Sequence, residues 1–167
     1  MRRRFVLLAV VAVLFALMAA PAVQAAGAAK VPIGGELSLT DDTPGIVRPT
    51  PGGILHEQGG TAVTEYTGDI AGNVTFSYKW SHFTADFSHL VSKGPFDGEV
   101  TWNGRTGSMS GMFTTECKPD ATGMISCGGT MIGHGSGELE GVKFHIDWGP
   151  GFWPFAYEGF ALDPHGG

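Results

Sequence analysis

The chain has 167 residues, of which 27 are glycine and only 16 % are charged. One domain is expected at this length, because domains commonly hold roughly 100–200 residues. Glycine follows no three-residue period and the hydrophobic content is 43 %, which excludes collagen and a disordered chain. Ten basic against 16 acidic residues give a net charge of −6, so no nucleic-acid partner is expected.

The N-terminal residues are typical of a secretory signal peptide. Three arginines precede an unbroken apolar run from Phe5 to Ala20, and the small residues Val23 and Ala25 offer a cleavage site. The run counts 16 residues, short of the roughly 20 that span a bilayer, so cleavage is favoured over an uncleaved anchor. Residues 1–25 are predicted to be removed, leaving an acidic, secreted or periplasmic chain of net charge −9 with no membrane span.

The two cysteines are predicted to form a disulfide. Cys117 and Cys127 lie in an exported chain, where disulfides form and persist, and two cysteines allow one intrachain pairing. The alternative is a pair of free thiols. Residues 118–123 between them have loop composition, so the bond would close a short hairpin.

The composition of the chain changes near residue 53. Residues 26–52 hold proline and glycine clusters at 41–45 and 49–53, and are predicted to be a leader containing one short strand at 36–40. Residues 53–163 alternate repeatedly between apolar and polar positions and are predicted to form the folded domain. Strands are expected near 53–58, 61–68, 72–80, 83–92, 95–102, 105–116, 124–133, 136–148 and 154–162.

Two hairpins can be placed in register from the sequence. In the hairpin between the cysteines, setting Cys117 opposite Cys127 places Phe113 opposite Met131. The other hairpin is centred on a tight turn. Asn103-Gly104 tolerates the positive φ angles of a type I′ turn, which predicts a two-residue connection. Setting Trp102 opposite Arg105 then places Phe96 opposite Gly111 and keeps the apolar residues of both strands on one face.

Consecutive strands with short turns and one apolar face each predict an all-β fold. We expect a single antiparallel meander that closes into a roughly eight-stranded barrel, since closure buries the apolar faces and removes exposed edges. Four glycines share the predicted inner face and are expected to leave volume for aromatic side chains or a ligand: Gly98, Gly107, Gly111 and Gly129.

Two glycine-rich stretches resemble a known family. Residues 96–111 (FDGEVTWNGRTGSMSG) are similar to the F-x-G-x-V-x-G-R-S-G-x-L hairpin of bacterial allene oxide cyclase-like barrel proteins. Residues 133–141 (GHGSGELEG) resemble the G-S-G-T-G-E-L-x-G-L turn and strand of the same proteins, and residues 66–68 an earlier strand. The resemblance spans roughly 53–163 and implies an antiparallel barrel with an apolar lumen. The plant namesakes cyclise an unsaturated fatty-acid epoxide, but none of their catalytic residues maps onto this chain.

One histidine falls on a predicted inner face. Alternation over residues 83–91 places His89 on the same side as Phe83 and Val91. A buried histidine is the best general acid/base candidate in the chain, so His89 is the predicted catalytic residue if there is one. The alternative is a structural histidine with a satisfied hydrogen bond.

Four aromatic residues are predicted to line a ligand cavity, or else to form plain aromatic core: Tyr78, Trp80, Trp102 and Tyr157. No metal site is expected, because His145 and Asp147 share their face with Lys143 and are predicted to point to solvent. No cofactor motif is present in the sequence, and none is expected to bind.

These observations favour an exported barrel that binds a small apolar molecule in its lumen. An isomerase or cyclase that templates a lipophilic substrate is the first alternative, since a snug lumen can act by orientation with few catalytic groups. A structural or interaction module with a filled core is the second. A cavity under about 300 Å³ would favour the filled module, and a polar cluster around His89 would favour chemistry.

Overall fold

The structure, a computed structural model, describes residues 28–86 and 88–166. The predicted signal peptide, residues 1–25, lies outside the described residues. No helix in this part of the chain is long and apolar enough to cross a membrane. The described residues form eleven strands: β1 (Ala29–Thr43), β2 (Ile46–Pro49), β3 (Ile54–Gln58), β4 (Thr61–Gly68), β5 (Ile70–Ser77), β6 (Trp80–Thr84), β7 (Leu90–Trp102), β8 (Arg105–Pro119), β9 (Ile125–Gly137), β10 (Lys143–Gly151) and β11 (Phe155–Asp163).

Eight of the strands close into an antiparallel barrel in the order β1-β4-β5-β7-β8-β9-β10-β11, with β11 returning to β1. Each barrel strand runs opposite to its neighbours, so the wall is an up-and-down meander. The expected all-β, roughly eight-stranded barrel is confirmed. Inward side chains alternate with outward ones along each strand, as closure of one apolar face requires.

The remaining strands, β2, β3 and β6, form a flap that extends one side of the barrel. β6 pairs with residues 90–93 of β7, while β5 pairs with residues 96–102 of the same strand. β3 lies on β6 and β2 lies on β3. The flap therefore continues the wall formed by β1, β4 and β5, beyond bends at 44–45, 59–60 and 78–79.

The segment expected to be a leader contributes a barrel strand. β1 pairs with β11 along 29–37 and with β4 along 35–43, so the barrel begins well before residue 53. The proline and glycine clusters mark the bend after β1 and the turn after β2 instead of a linker. Turn composition alone does not distinguish a leader from two strands joined by tight turns.

Two other segments differ from the expected strands. β6 ends at Thr84 and β7 begins at Leu90, with residues 85–86 and 88–89 in a turn between them, where a continuous strand at 83–92 was predicted. Asp86 accepts hydrogen bonds from the Ser88 backbone N–H (3.0 Å) and hydroxyl (2.8 Å), which stabilises the turn. Residues 138–142 likewise form a turn, so β10 starts at Lys143 and not near 136.

Both hairpins placed from the sequence have the predicted register. Trp102 faces Arg105 and Phe96 faces Gly111, and the turn residues have positive φ (51° at Asn103 and 74° at Gly104), as the predicted turn requires. Cys117 faces Cys127, and the two form the predicted disulfide.

One end of the barrel is closed by packed side chains. Trp102 and Phe144 meet edge to face at 5.8 Å between ring centroids, and the turn residue Leu139 is fully buried. A methyl group on Gly107 or Gly135 would contact Leu139, so these glycines make room for that side chain. The side chains buried at this closed end include Ile33, Tyr66, Ile70, Val100, Trp102, Met109, Leu139, Val142, Phe144 and Tyr157.

Candidate functional site

The opposite end of the barrel is hollow. A cavity of about 730 Å³ lies between the barrel wall and the flap. This volume falls within the roughly 300–1,000 Å³ of typical small-molecule sites. The lining residues are Leu37, Leu39, Asp42, Pro44, Val47, Glu57, Ala62, Thr64, Phe76, Tyr78, Ser81, Phe83, Leu90, Ser92, Phe113, Thr115, Cys117, Met124, Ile125, Cys127, Trp148, Phe152, Trp153 and Phe155.

Small inner side chains contribute to the hollow at this end. The inner positions near the flap include Ala62, Thr64, Ser81, Ser92 and Thr115, which lie among the aromatic residues of the lining. Barrel radius is set by strand number and stagger, so small inner side chains leave space unfilled.

An aromatic group forms the floor of the cavity. Phe113 lies edge-on to Phe76 at 4.9 Å and to Tyr78 at 6.0 Å, and Phe76 lies 6.1 Å from Trp148. The Trp148 ring covers Gly129, where any side chain would overlap it. Edge-to-face rings at these distances hold one another in place, which gives the cavity a defined apolar floor.

Exposed apolar side chains surround the cavity mouth. Met124 and Phe152 are 62 % and 53 % exposed, and Leu39, Val47 and Trp153 are also exposed while lining the cavity. Large apolar groups grouped in this way mark ligand grooves or interaction sites more often than scattered ones do.

Several hydroxyl groups in the cavity are satisfied within the protein. Ser92 donates a hydrogen bond to the Ser81 hydroxyl at 2.8 Å, and Thr64 donates to the Val74 carbonyl at 3.3 Å. These bonds remove much of the cost of burying the hydroxyls. The inner surface near them therefore behaves as a mainly apolar wall.

Two carboxyl groups lie at the mouth, and a β-bulge positions one of them. The β1–β4 pairing shifts by one residue between Leu39 and Asp41. Because a bulge reverses the faces that follow it, Asp42 lines the cavity where uninterrupted alternation would have placed Asp41. Burial and the nearby charges of Glu57 and Asp41 raise the pKa of Asp42 above its usual value.

Glu57 and Tyr78 lie beside the bends between barrel and flap. The Gly45 N–H donates to Glu57 Oε1 at 2.7 Å. Glu57 Oε1 and Tyr78 Cδ2 both lie within 3.0 Å of where a Cβ on Gly60 would stand, so the absence of a side chain there brings them together. Burial, with the charges of Asp42 and Glu57, raises the pKa of Tyr78 to about 12, so the phenol is neutral at physiological pH.

Of the four aromatic residues predicted to line a cavity, Tyr78 lines this one. Trp80 does not, because the bend at 78–79 reverses the alternation. Its ring instead packs on the outer side of the flap, against His82 at 4.8 Å and under the Lys93 ammonium at 5.1 Å.

Trp102 and Tyr157 are buried at the closed end, away from the cavity. Trp102 packs on Phe144, and the Tyr157 hydroxyl accepts a hydrogen bond from the Ile70 N–H at 3.0 Å. These two residues therefore belong to the aromatic core, which was the alternative to a place in the cavity wall. The expectation that Gly98 and Gly111 would leave free volume is also corrected, because a side chain there would meet the Asn73 or Ile132 carbonyl of the adjacent strand.

The prediction that His89 points inward is wrong. His89 is exposed in the turn between β6 and β7, where its N–H donates to the Thr84 hydroxyl at 3.1 Å. The period-two alternation used to place it does not continue through this turn. His89 is not among the residues that line the cavity.

Within residues 28–86 and 88–166, no group of three or more histidine, cysteine, aspartate or glutamate side chains is arranged to hold a metal ion. His145 Nε2 lies 3.1 Å from Asp147 Oδ2 on the outer face of β10, and its ring stacks on Phe160.

Sequence reasoning missed Asp42 and Glu57. Both lie next to bends that turn composition signals but whose geometry it does not specify. The fold and the cavity define the protein as an eight-stranded antiparallel barrel with one packed and one hollow end. Comparison with known proteins found no matching family model, no similar curated protein and no similar solved structure.

Proposed function

We propose that the protein is an exported β-barrel that binds a small apolar molecule in its lumen. The observation that carries the proposal is the 730 Å³ cavity with an aromatic floor and an apolar rim. Binding of an apolar ligand in such a cavity is favourable, because it releases water from the apolar surfaces of both the ligand and the cavity.

The cavity volume argues against a module with a filled core, which would leave less than about 300 Å³. Binding is also better supported than isomerase or cyclase activity. The acid/base group expected for that chemistry, His89, lies outside the cavity in an exposed turn. The relation to allene oxide cyclase-like proteins remains a prediction from the residues quoted above.

Two observations support export. The N-terminal sequence has the basic, apolar and small-residue regions of a signal peptide. The Cys117–Cys127 disulfide is of a kind that persists outside the reducing cytoplasm.

A tryptophan introduced at a lining position, where its side chain would fill part of the cavity, tests the binding proposal. Thr115 lines the cavity, whereas its neighbour Thr114 is exposed on the opposite face of β8. We expect the neutral fluorescent probe N-phenyl-1-naphthylamine to bind the parent protein and Thr114→Trp, but not Thr115→Trp. Thermal melting of both variants confirms that they fold.

Equal probe binding by Thr115→Trp and Thr114→Trp would place the probe elsewhere and contradict the proposal. Absence of binding by the parent protein, together with no thermal stabilisation by a panel of lipophilic compounds, would contradict it as well.

A further inference from the structure

The charged residues that line the cavity are all negative. Asp42 and Glu57 lie among its lining residues, and the described lining includes no lysine, arginine or histidine. Both carboxyl groups lie in strands next to the bends that separate barrel from flap, so they flank the mouth while the floor remains aromatic. A molecule filling the cavity would thus meet an apolar interior and an anionic entrance.

The protein does not neutralise these two carboxylates itself. None of the ion pairs among the described residues includes Asp42 or Glu57. The Gly45 N–H occupies one oxygen of Glu57, and the described hydrogen bonds leave the other oxygen and the Asp42 carboxylate available. Each carboxylate raises the energy of the other, so a bound cation would relieve repulsion as well as gain attraction.

Tyr78 adds a neutral acceptor beside the two charges. Its ring packs on Phe113 at 6.0 Å and contacts the same bend as Glu57, so the phenol links the aromatic floor to the acidic mouth. No hydrogen-bond partner of its hydroxyl is found among the described residues. A phenol oxygen accepts hydrogen bonds from an ammonium group, and the ring face attracts cations.

We infer that the ligand is a cationic amphiphile: an apolar body fills the cavity, and a protonated amine at its end binds Asp42 and Glu57 at the mouth. The inference rests on the proposed binding function and adds the charge of the ligand. A carboxylate or phosphate head group at this position would be repelled by both side chains.

Three ligands of equal chain length distinguish the contribution of head-group charge to affinity from that of apolar burial: octylamine, octanol and octanoate. At pH 7 the amine is protonated and the carboxylate ionised, so only the head group differs. We expect octylamine to displace N-phenyl-1-naphthylamine at a concentration about three- to ten-fold lower than octanol, since each partly exposed ion pair adds modestly to affinity. Octanoate should be the weakest of the three.

The double variant Asp42→Asn and Glu57→Gln should lose the preference for octylamine while binding octanol as the parent does. Asp41→Asn is the matched control, because it removes one charge from the same strand without changing a lining residue. We expect Asp41→Asn to keep most of the preference. Melting temperatures verify that each variant is folded.

Equal displacement by the three ligands would overturn the cationic head group and leave the apolar binding function in place. A preference that persists in the double variant would also overturn it, because the charge would then be recognised elsewhere. Failure of the probe itself to bind would contradict the proposed function and this inference together.

Discussion

The two ends of the barrel share its eight strands, but the flap extends only the hollow end, and the two ends differ in what fills them. At the closed end, Trp102 and Phe144 pack edge to face over a fully buried Leu139. At the hollow end, small residues such as Ala62 and Ser92 face a cavity of about 730 Å³. The closed end therefore stabilises the fold, and the hollow end is available for a ligand.

The comparison shows how one barrel separates stability from function. Side chains at the closed end gain dispersion and burial on all sides, whereas those at the cavity have a free side. A protein with this arrangement can change the cavity lining at a lower cost to its stability than a change at the closed end would have. The following predictions test that division from the largest expected effect to the smallest.

Truncating an aromatic ring should cost more at the closed end. Phe144 is surrounded by packed side chains, so Phe144→Ala should lower the free energy of unfolding by about 4–5 kcal/mol. Phe113 already borders the cavity, so Phe113→Ala should cost about 3 kcal/mol. Denaturant unfolding of both variants measures the difference. Equal losses would show that the cavity lining supports the fold as much as the closed end does.

Removing the disulfide should destabilise the hollow end. The bond closes a loop with a sequence separation of 10, so the double variant Cys117→Ala and Cys127→Ala should lose somewhat under 3 kcal/mol. Both cysteines line the cavity, so the affinity for N-phenyl-1-naphthylamine should fall as well. Chemical denaturation and probe titration measure the two effects. Unchanged probe affinity in the double variant would show that the disulfide does not contribute to ligand binding in the cavity.

A substitution in the turn at the closed end should have a local effect. Gly104 has φ of 74°, a conformation that costs about 1 kcal/mol or slightly more for a residue with a side chain. Apart from the two chain neighbours, no residue comes within 4 Å of a Cβ at this position, so Gly104→Ala should lose only that amount. Probe binding should not change. A larger loss of stability would indicate that the turn contributes to closing the barrel.

An ion pair at the closed end should give a small pH-dependent effect. Burial acts to raise the pKa of Asp163, but the His165 N–H and Arg105, whose Nη2 lies 2.6 Å away, hold it below its usual 3.8. The stabilisation is thus present above about pH 4 and is lost as pH falls through the lowered pKa. Arg105→Gln should melt below the parent at pH 7, and this difference should shrink towards pH 3.

Lys118→Gln is the matched control for that measurement. It breaks the exposed Lys118–Glu116 pair (3.5 Å) at the hollow end, where solvent screens the charges. We expect no measurable change in melting temperature at either pH. A loss as large as that of Arg105→Gln would contradict the division between the two ends.

Much of the fold could be predicted because its determinants are local. Asn103-Gly104 specifies a tight turn, and the turn sets the register from Trp102–Arg105 to Phe96–Gly111. The pairing of Cys117 with Cys127 follows from the loop between them in the same way. Only residues 36–40 of the N-terminal strand were predicted, because β1 pairs with β11, a partner more than a hundred residues away.

The site was less predictable, because small irregularities decide which side chains enter it. The bulge after Leu39 directs Asp42 inward, the bend at 78–79 directs Trp80 outward, and the turn after Thr84 leaves His89 in solvent. After each irregularity, the side chains that faced inward face outward and the reverse. A prediction that extends the alternation past such a point therefore assigns the wrong face to the residues that follow.

The sequence by itself determined the all-β class, the barrel closure and the register of two hairpins, because alternation and turn chemistry act between near neighbours. Only the tertiary structure decided which end of the barrel is hollow and which residues surround it. Filling depends on the summed volume of side chains contributed by eight strands, and the entrance depends on three bends that meet in space. Neither quantity is encoded in a local pattern of residues.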